Sequence, residues 1–285
     1  ITVPHLGLGD IDVDNIEFIA NAENNRITSS FSWHNEQEAK SKGKLNALAT
    51  FTHLDSLMYA STRANILESE FYLNDSLWVI NPAIVTINPN QVDFRDILVH
   101  NNQQNLSISG RVSPDPSDSV IVSLNSINIS IVNLYTQGLG YKFDGTVSGR
   151  TQLSNLYESP LVDADLTLDQ ILVNEQPVGT LSLKSQWFAN DSRLSISAIN
   201  YLDGEPTLDI RGGIYPQTKT LDLGININQL KMNHFEPMLQ EFISDLTGSA
   251  SGRIRVQGTT DKPLVNGTIN LMGGGVLVKF TNTRY

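Results

Sequence analysis

Aliphatic residues recur at every second position through most of this chain, and few segments break that rhythm. A period of two is the spacing of a β-strand with one dry face and one wet face. The clearest runs are Leu106/Ile108/Val112, Val120/Val122/Leu124, Leu181/Leu183, Leu194/Ile196, Leu208/Ile210/Ile214, Leu221/Leu223/Ile225/Ile227, Ile254/Val256, Ile269/Leu271 and Val276/Val278. Ser, Asp, Asn, Lys, Arg or Thr stand between them. Turn signals separate the runs: Asn74-Asp75, Pro114-Asp115-Pro116, Asn190-Asp191, Asp203-Gly204 and Asp261-Lys262-Pro263. Further strands are expected near residues 10–19, 26–33, 44–52, 71–80 and 92–99.

Two segments depart from this pattern. Met238, Leu239, Phe242, Ile243 and Leu246 have helical spacing, with Pro237 suited to the first helical position and Gly248 to the stop. They predict one short amphipathic helix over 237–247. A second short helix is expected around 55–65. With so little helix to cover some twenty one-faced strands, the sheet must fold onto itself as a sandwich, a barrel or a groove. Alternation alone does not distinguish a closed core from an open groove.

An internal repeat runs through the second half. Phe143-Asp-Gly-Thr-Val-Ser-Gly-Arg aligns with Leu246-Thr-Gly-Ser-Ala-Ser-Gly-Arg, an offset of 103 positions. Without a gap, Pro160-Leu161-Val162 then meets Pro263-Leu264-Val265, and Leu168 meets Leu271. With a one-residue slip, Leu106-Ser-Ile-Ser-Gly110 meets Leu208-Asp-Ile-Arg-Gly212. This divides the chain into an N-terminal strand-rich unit over 1–105, a first repeat over 106–207 and a second, truncated one over 208–285.

Gly248-Ser-Ala-Ser-Gly-Arg-Ile-Arg-Val-Gln-Gly258, followed by Pro263-Leu-Val-Asn-Gly267-Thr-Ile-Asn-Leu271, resembles the pattern of the TamB (translocation and assembly module) family in the AsmA-like superfamily. The segments Leu77-Trp78 through Gly110 and Val278 through Tyr285 are similar to TamB-like chains of the Bacteroides type. The resemblance covers roughly residues 70–285. It implies an all-β fold: an elongated, curled β-sheet groove (β-taco) of repeated short antiparallel or meander strands. It implies a periplasmic place in the envelope of a diderm bacterium, anchored to the inner membrane through a segment outside this sequence. The implied function is carriage of phospholipid along a hydrophobic groove between inner and outer membranes, support of outer-membrane protein assembly, or both. The implied partners are phospholipid acyl chains and an outer-membrane BamA-type barrel reached through regions outside this sequence. On this resemblance the segment is expected toward the C-terminal half of such a protein. Candidates for the groove wall are Leu181, Leu183, Leu194, Ile196, Leu208, Ile210, Leu221, Leu223, Ile225, Ile227, Ile254, Val256, Ile269, Leu271, Val276 and Val278. The alternative is a surface adhesion or glycan-binding β-protein. That class is expected to cluster exposed aromatics on one face, whereas Trp33, Trp78 and Trp187 are far apart in sequence.

Composition narrows the rest. With 30 acidic against 19 basic residues and a formal charge of −11, the chain has no Lys/Arg cluster for nucleic acid or anionic headgroups. It has no cysteine, hence no disulfide, thiolate nucleophile or cysteine zinc site. The sequence starts at Ile1 and stops at Tyr285 after a strand-like run, and is read as a fragment. No catalytic residue, metal or cofactor is expected. Gly9-Asp10-Ile-Asp12-Val-Asp14-Asn15 lacks the Gly and Glu that a calcium loop places at its sixth and twelfth positions. His5, His34, His53, His100 and His234 show no metal-ligand spacing, and no nucleophile elbow is present. Asp163/Asp165 and Asp115/Asp118 read as solvated strand or turn polarity. Gly273-Gly274-Gly275 predicts a bulge or tight hairpin, not a phosphate loop.

Overall fold

The computed structural model describes residues 1–8, 11–35, 42–53, 60–73, 76–136, 140–236 and 242–285. The chain is all-β, with 77 % in strands and, among the described residues, no helix of seven residues or more. Every strand pairing described is antiparallel, and each joins strands close in sequence. The chain divides into two compact units, Ile1–Ile127 with Arg150–Leu161, and Asn128–Gly149 with Val162–Tyr285.

The first unit holds β1 (Thr2–Leu8), β2 (Ile11–Glu23), β3 (Arg26–His34), β4 (Lys42–His53), β5 (Ala60–Ile66), β6 (Ser69–Leu73), β7 (Ser76–Ile80), β8 (Ala83–Asn88), β9 (Gln91–Asn101), β10 (Gln104–Val112) and β11 (Ser119–Asn128). β1 to β4 form a meander. β5–β6 and β7–β8 then make one long hairpin, each arm interrupted once, which fills the space between β4 and β9. The interruptions keep their ladder bonds, since Leu67 donates to the Asn46 carbonyl and Asn81 to that of Leu98.

β12 (Phe143–Ser154) follows a 3₁₀ turn at Ile129–Val132 and a short helical turn at Asn133–Thr136. The second unit continues with β13 (Leu161–Val173), β14 (Gln176–Phe188), β15 (Arg193–Leu202), β16 (Glu205–Tyr215) and β17 (Thr220–Lys231). A 3₁₀ turn at Met232–Phe235 leads to β18 (Ile243–Thr259), β19 (Lys262–Val278) and β20 (Thr283–Arg284). Two-residue hairpins at Asn24-Asn25, Asn174-Glu175 and Asp203-Gly204 have both residues at positive φ. That is the turn whose twist matches paired strands, and Asn, Asp and Gly tolerate it best.

The expected helices are not formed where the structure describes them. Residues 237–241 lie outside the described set, but Ile243 to Leu246 are strand. The helix-like spacing has a clear cause. Asp245 is left-handed (φ 55) and forms a bulge between Ser244 and Thr247, so Ile243 and Leu246 share one side of a strand at helical spacing. The second expected helix falls partly on undescribed residues, and Ala60–Ile66 is β5. The turn signal Asn74-Asp75 and the Gly9-Asp10 pair also lie outside the described residues.

The 103-position offset reappears as geometry. A Cβ added at Gly149 would run into the Asp165 carbonyl oxygen, and one at Gly252 into that of Thr268. At Gly145 and Gly248 the obstacles are the carbonyls of Asp169 and Gln170, and of Met272 and Gly273. Ser126 and Gln229 are left-handed residues one offset apart, as are Gln170 and Gly273. The two 3₁₀ turns also correspond. The Asn133 amide oxygen accepts from Phe143 N–H, and the Glu236 carboxylate accepts from Leu246 N–H, stitching each turn to the following strand. The proline pair corresponds less closely. Pro160 precedes β13, whereas Pro263 is already paired with Gly258 inside β19.

Candidate functional site: one apolar face of the second unit

In an antiparallel ladder, directly opposed residues share a face. The registers therefore show which side each aliphatic residue takes. One row crosses the second unit as Leu183, Ala198, Ile210, Ile225, Ile254 and Gly267. Beside it run Ile196, Gly212, Leu223, Val256 and Val265 on one side, and Leu181, Asn200, Leu208, Ile227, Gly252 and Ile269 on the other. Leu194 and Leu221 extend the surface through Ile214, and Leu271 extends it through Ala250.

Val276 and Val278 belong to the same face, although the parity of β19 changes between Leu271 and Val276. The change occurs at Gly273 (φ 60), where β19 carries an extra residue. β18 carries its own at Asp245, so Ile243 still opposes Val278. The Gly-Gly-Gly run is thus a bulge. All sixteen sequence candidates fall on one face. Sequence reasoning passed over Leu166, Leu168 and Ile171 of β13, which oppose Leu183, Leu181 and Gly179. Their alternation is broken by the bulge at Gln170 (φ 51), and that break is the signal that could have found them.

This face is not sealed. The candidates from Leu181 to Val256 are half-buried, while Ile269 is 48 % and Leu271 64 % exposed. Among the described residues, no large side chain is fully buried. One polar intrusion is Asn200, whose amide donates to the Val178 carbonyl (2.8 Å) and to Thr207 Oγ1 (2.7 Å) and so fastens the bulge at Thr207.

The opposite face is wet. Exposed ion pairs join Asp165 to Lys184 (3.0 Å) and Asp222 to Arg255 (2.6 Å) across neighbouring strands. The Arg255 hydrogen bond holds the Asp222 carboxyl below its ordinary pKa. In the first unit, partial burial pushes the Asp93 carboxyl up, but hydrogen bonds from Gln91 and Arg111 outweigh it and leave it lowered. The cleft there is polar, lined by Asp93, Arg111 and Asp118 among others.

Among the described residues, no cluster of His, Asp or Glu has the arrangement of a metal site. His5 pairs with Asp14 (2.7 Å) and His100 with Asn81 (3.1 Å). The aromatic residues are closer together than their sequence spacing implies. Phe31, Trp33, Phe71 and Trp78 form a ladder with centroids 5.7–6.4 Å apart in the first unit. Trp33 lies over Gly43, where any side chain would collide with it and with Phe71. Trp78 is only 9 % exposed, and Phe31, Trp33 and Phe71 are half-buried and packed on one another.

His234, in the 3₁₀ turn before β18, has its pKa lowered by burial, with Lys231 adding to the effect. Its neutral form is favoured on folding. Stability is therefore full above the ordinary histidine pKa and declines as pH falls below it. Thermal unfolding is expected to shift downward from about pH 7 to about pH 5, and His234→Gln should flatten the part of that slope due to this ring.

A family model described as the TamB N-terminal domain matches residues 85–271. The chain belongs to the TamB family. It is thus a segment of a TamB-like envelope protein, from a family of transport and assembly proteins and not of enzymes. The match is to the N-terminal domain, which corrects the expectation of a segment toward the C-terminal half. No curated protein and no solved structure matches the chain. No helix among the described residues is long and apolar enough to cross a membrane.

Proposed function

We propose that the apolar face of this TamB segment carries phospholipid acyl chains between the inner and outer membranes. The observation behind this reading is the continuous aliphatic face of β13 to β19, whose large side chains stay half-exposed. Such a face left to water is costly, and an acyl chain laid on it recovers about 0.8 kcal/mol per buried CH₂. The face is aliphatic but for Asn200 and Ser185, whose side chains already donate to acceptors within the protein, which suits a ligand that slides. In this reading the segment lies in the periplasm, and inner-membrane anchoring and contact with a BamA-type barrel fall to regions outside it.

Lipid extraction and mass spectrometry of the purified chain test the proposal. Phospholipid is expected to co-purify at a fixed ratio and to be lost from an Ile225→Arg variant. A chain that purifies free of lipid and takes up none from vesicles would refute it.

A further inference from the structure

The two 3₁₀ turns of the second unit lie one repeat apart, and the same places in them hold chemically different residues. The first turn, Ile129–Val132, is fastened by neutral groups. The Asn128 amide oxygen caps it by accepting from Ser130 N–H (2.7 Å). Asn133 closes it against β12 with two bonds, accepting from Phe143 N–H (2.7 Å) and donating to the Phe143 carbonyl (2.8 Å). Ile131 stands between the two asparagines.

One repeat on, an ionisable residue replaces each of these three: Lys231 for Asn128, His234 for Ile131 and Glu236 for Asn133. A lysine ammonium cannot accept, and the turn Met232–Phe235 has no side-chain cap. Its closing bond to β18 runs from Leu246 N–H to the Glu236 carboxylate (3.0 Å). Nδ1 of His234 is buried and, among the described residues, unpartnered, as is the Asn233 amide oxygen. Burial lowers the pKa of this ring, and Lys231 adds to the effect. The other charged groups on the neighbouring elements are engaged or distant. Glu236 is taken by Leu246, Asp245 near the start of β18 is taken by Arg284 (2.6 Å), and Arg253 lies further along β18, opposite Asn226. An imidazolium carries N–H on both nitrogens. Here one of them would be buried without an acceptor, and the new charge would be repelled by Lys231, so protonation favours release of the ring.

We propose that the Met232–Phe235 turn is a pH-operated latch between β17 and β18, closed while His234 is neutral and released when it is protonated, and that the Ile129–Val132 turn is its pH-insensitive counterpart. The turn follows Leu230, which opposes Ala250 on the apolar face, so release loosens the sheet at that end of the face. As a control on acyl contact the latch rests on the function proposed above; as a movement of the chain it does not.

Hydrogen exchange at two backbone amides, followed by NMR with isotope-labelled leucine and phenylalanine, reads the latch without lipid. Leu246 N–H reports the second turn and Phe143 N–H the first. Between about pH 7.5 and about pH 5.5, Leu246 is expected to lose protection relative to Phe143 by up to about tenfold. That is the limit for a released ring of ordinary pKa 6.5 at the lower pH. His234→Gln should abolish the response. Glu236→Gln keeps an acceptor for Leu246 and should leave the response in place. K231N/H234I/E236N gives the second turn the residues of the first, and should make Leu246 follow Phe143 at both pH values. Parallel behaviour of the two amides in the unmodified chain, a response that survives His234→Gln, or one lost in Glu236→Gln would overturn the latch. Uptake of phospholipid from phosphatidylethanolamine/phosphatidylglycerol vesicles, measured on the same samples, separates the two readings. Release of Leu246 with no lipid bound at either pH upholds the latch and refutes the acyl path, whereas bound lipid with no change at Leu246 does the reverse.

Discussion

Ile225→Arg is expected to leave the second unit folded while removing its contact with acyl chains. Ile225 sits in the central row, between Ile210 and Ile254. In a closed core, an arginine there would bury an unpaired charge and cost about 3–5 kcal/mol or more. On a half-exposed face the aliphatic stem can lie along the surface and carry the guanidinium to water. Urea unfolding should then show a loss below about 2 kcal/mol. A photoreactive residue at Ile225 should crosslink to phospholipid in cells, and one at Asn226, on the opposite face, should not. Equal crosslinking at the two positions, or none at any inward aliphatic of a folded chain, would count against the lipid path. Unfolding of Ile225→Arg would instead indicate a closed core.

Gly149→Val and Gly252→Val are each expected to destabilise the fold by about 3 kcal/mol or more. Both glycines lie against a carbonyl oxygen of the next strand, Asp165 and Thr268 respectively, where no Cβ fits. At Gly149 the backbone is also at φ +138, which a branched side chain resists. Gly274→Ala is the control, since nothing lies within 4 Å of a Cβ there. Chemical denaturation of the three variants checks the set. Loss at one of the pair without loss at the other would show that the repeated motif has lost its shared role.

Much of this was legible in the sequence, because a period of two survives wherever a strand is regular. Leu221, Leu223, Ile225 and Ile227 announce both the strand and its dry side. The repeat was legible because Gly145, Gly149, Gly248 and Gly252 answer to a backbone clash that no other residue avoids. What failed was reading across bulges. Gln170 hid the second half of β13, and Asp245 made Ile243 and Leu246 imitate a helix. A left-handed residue inside a strand leaves little trace when it is Asp, Gln or Ser. The aromatic ladder was also invisible in sequence, since Trp33 and Trp78 meet only through Phe71.

The extra residues at Asp245 and Gly273 sit on adjacent strands and cancel, so pairing resumes in its original register from Ser244–Leu277 onward. This has a consequence for how such a chain can change over generations. A single-codon deletion within either strand would turn the remainder of that strand inside out, presenting the arginines of β18 or the asparagines of β19 to the dry side. The same loss taken from both strands would be silent. Gaps in β18 and β19 should therefore be inherited as couples, with either one alone confined to lineages that have lost the protein's use. Slippage of this kind lets a ladder grow or shrink one rung at a time while its greasy side stays continuous.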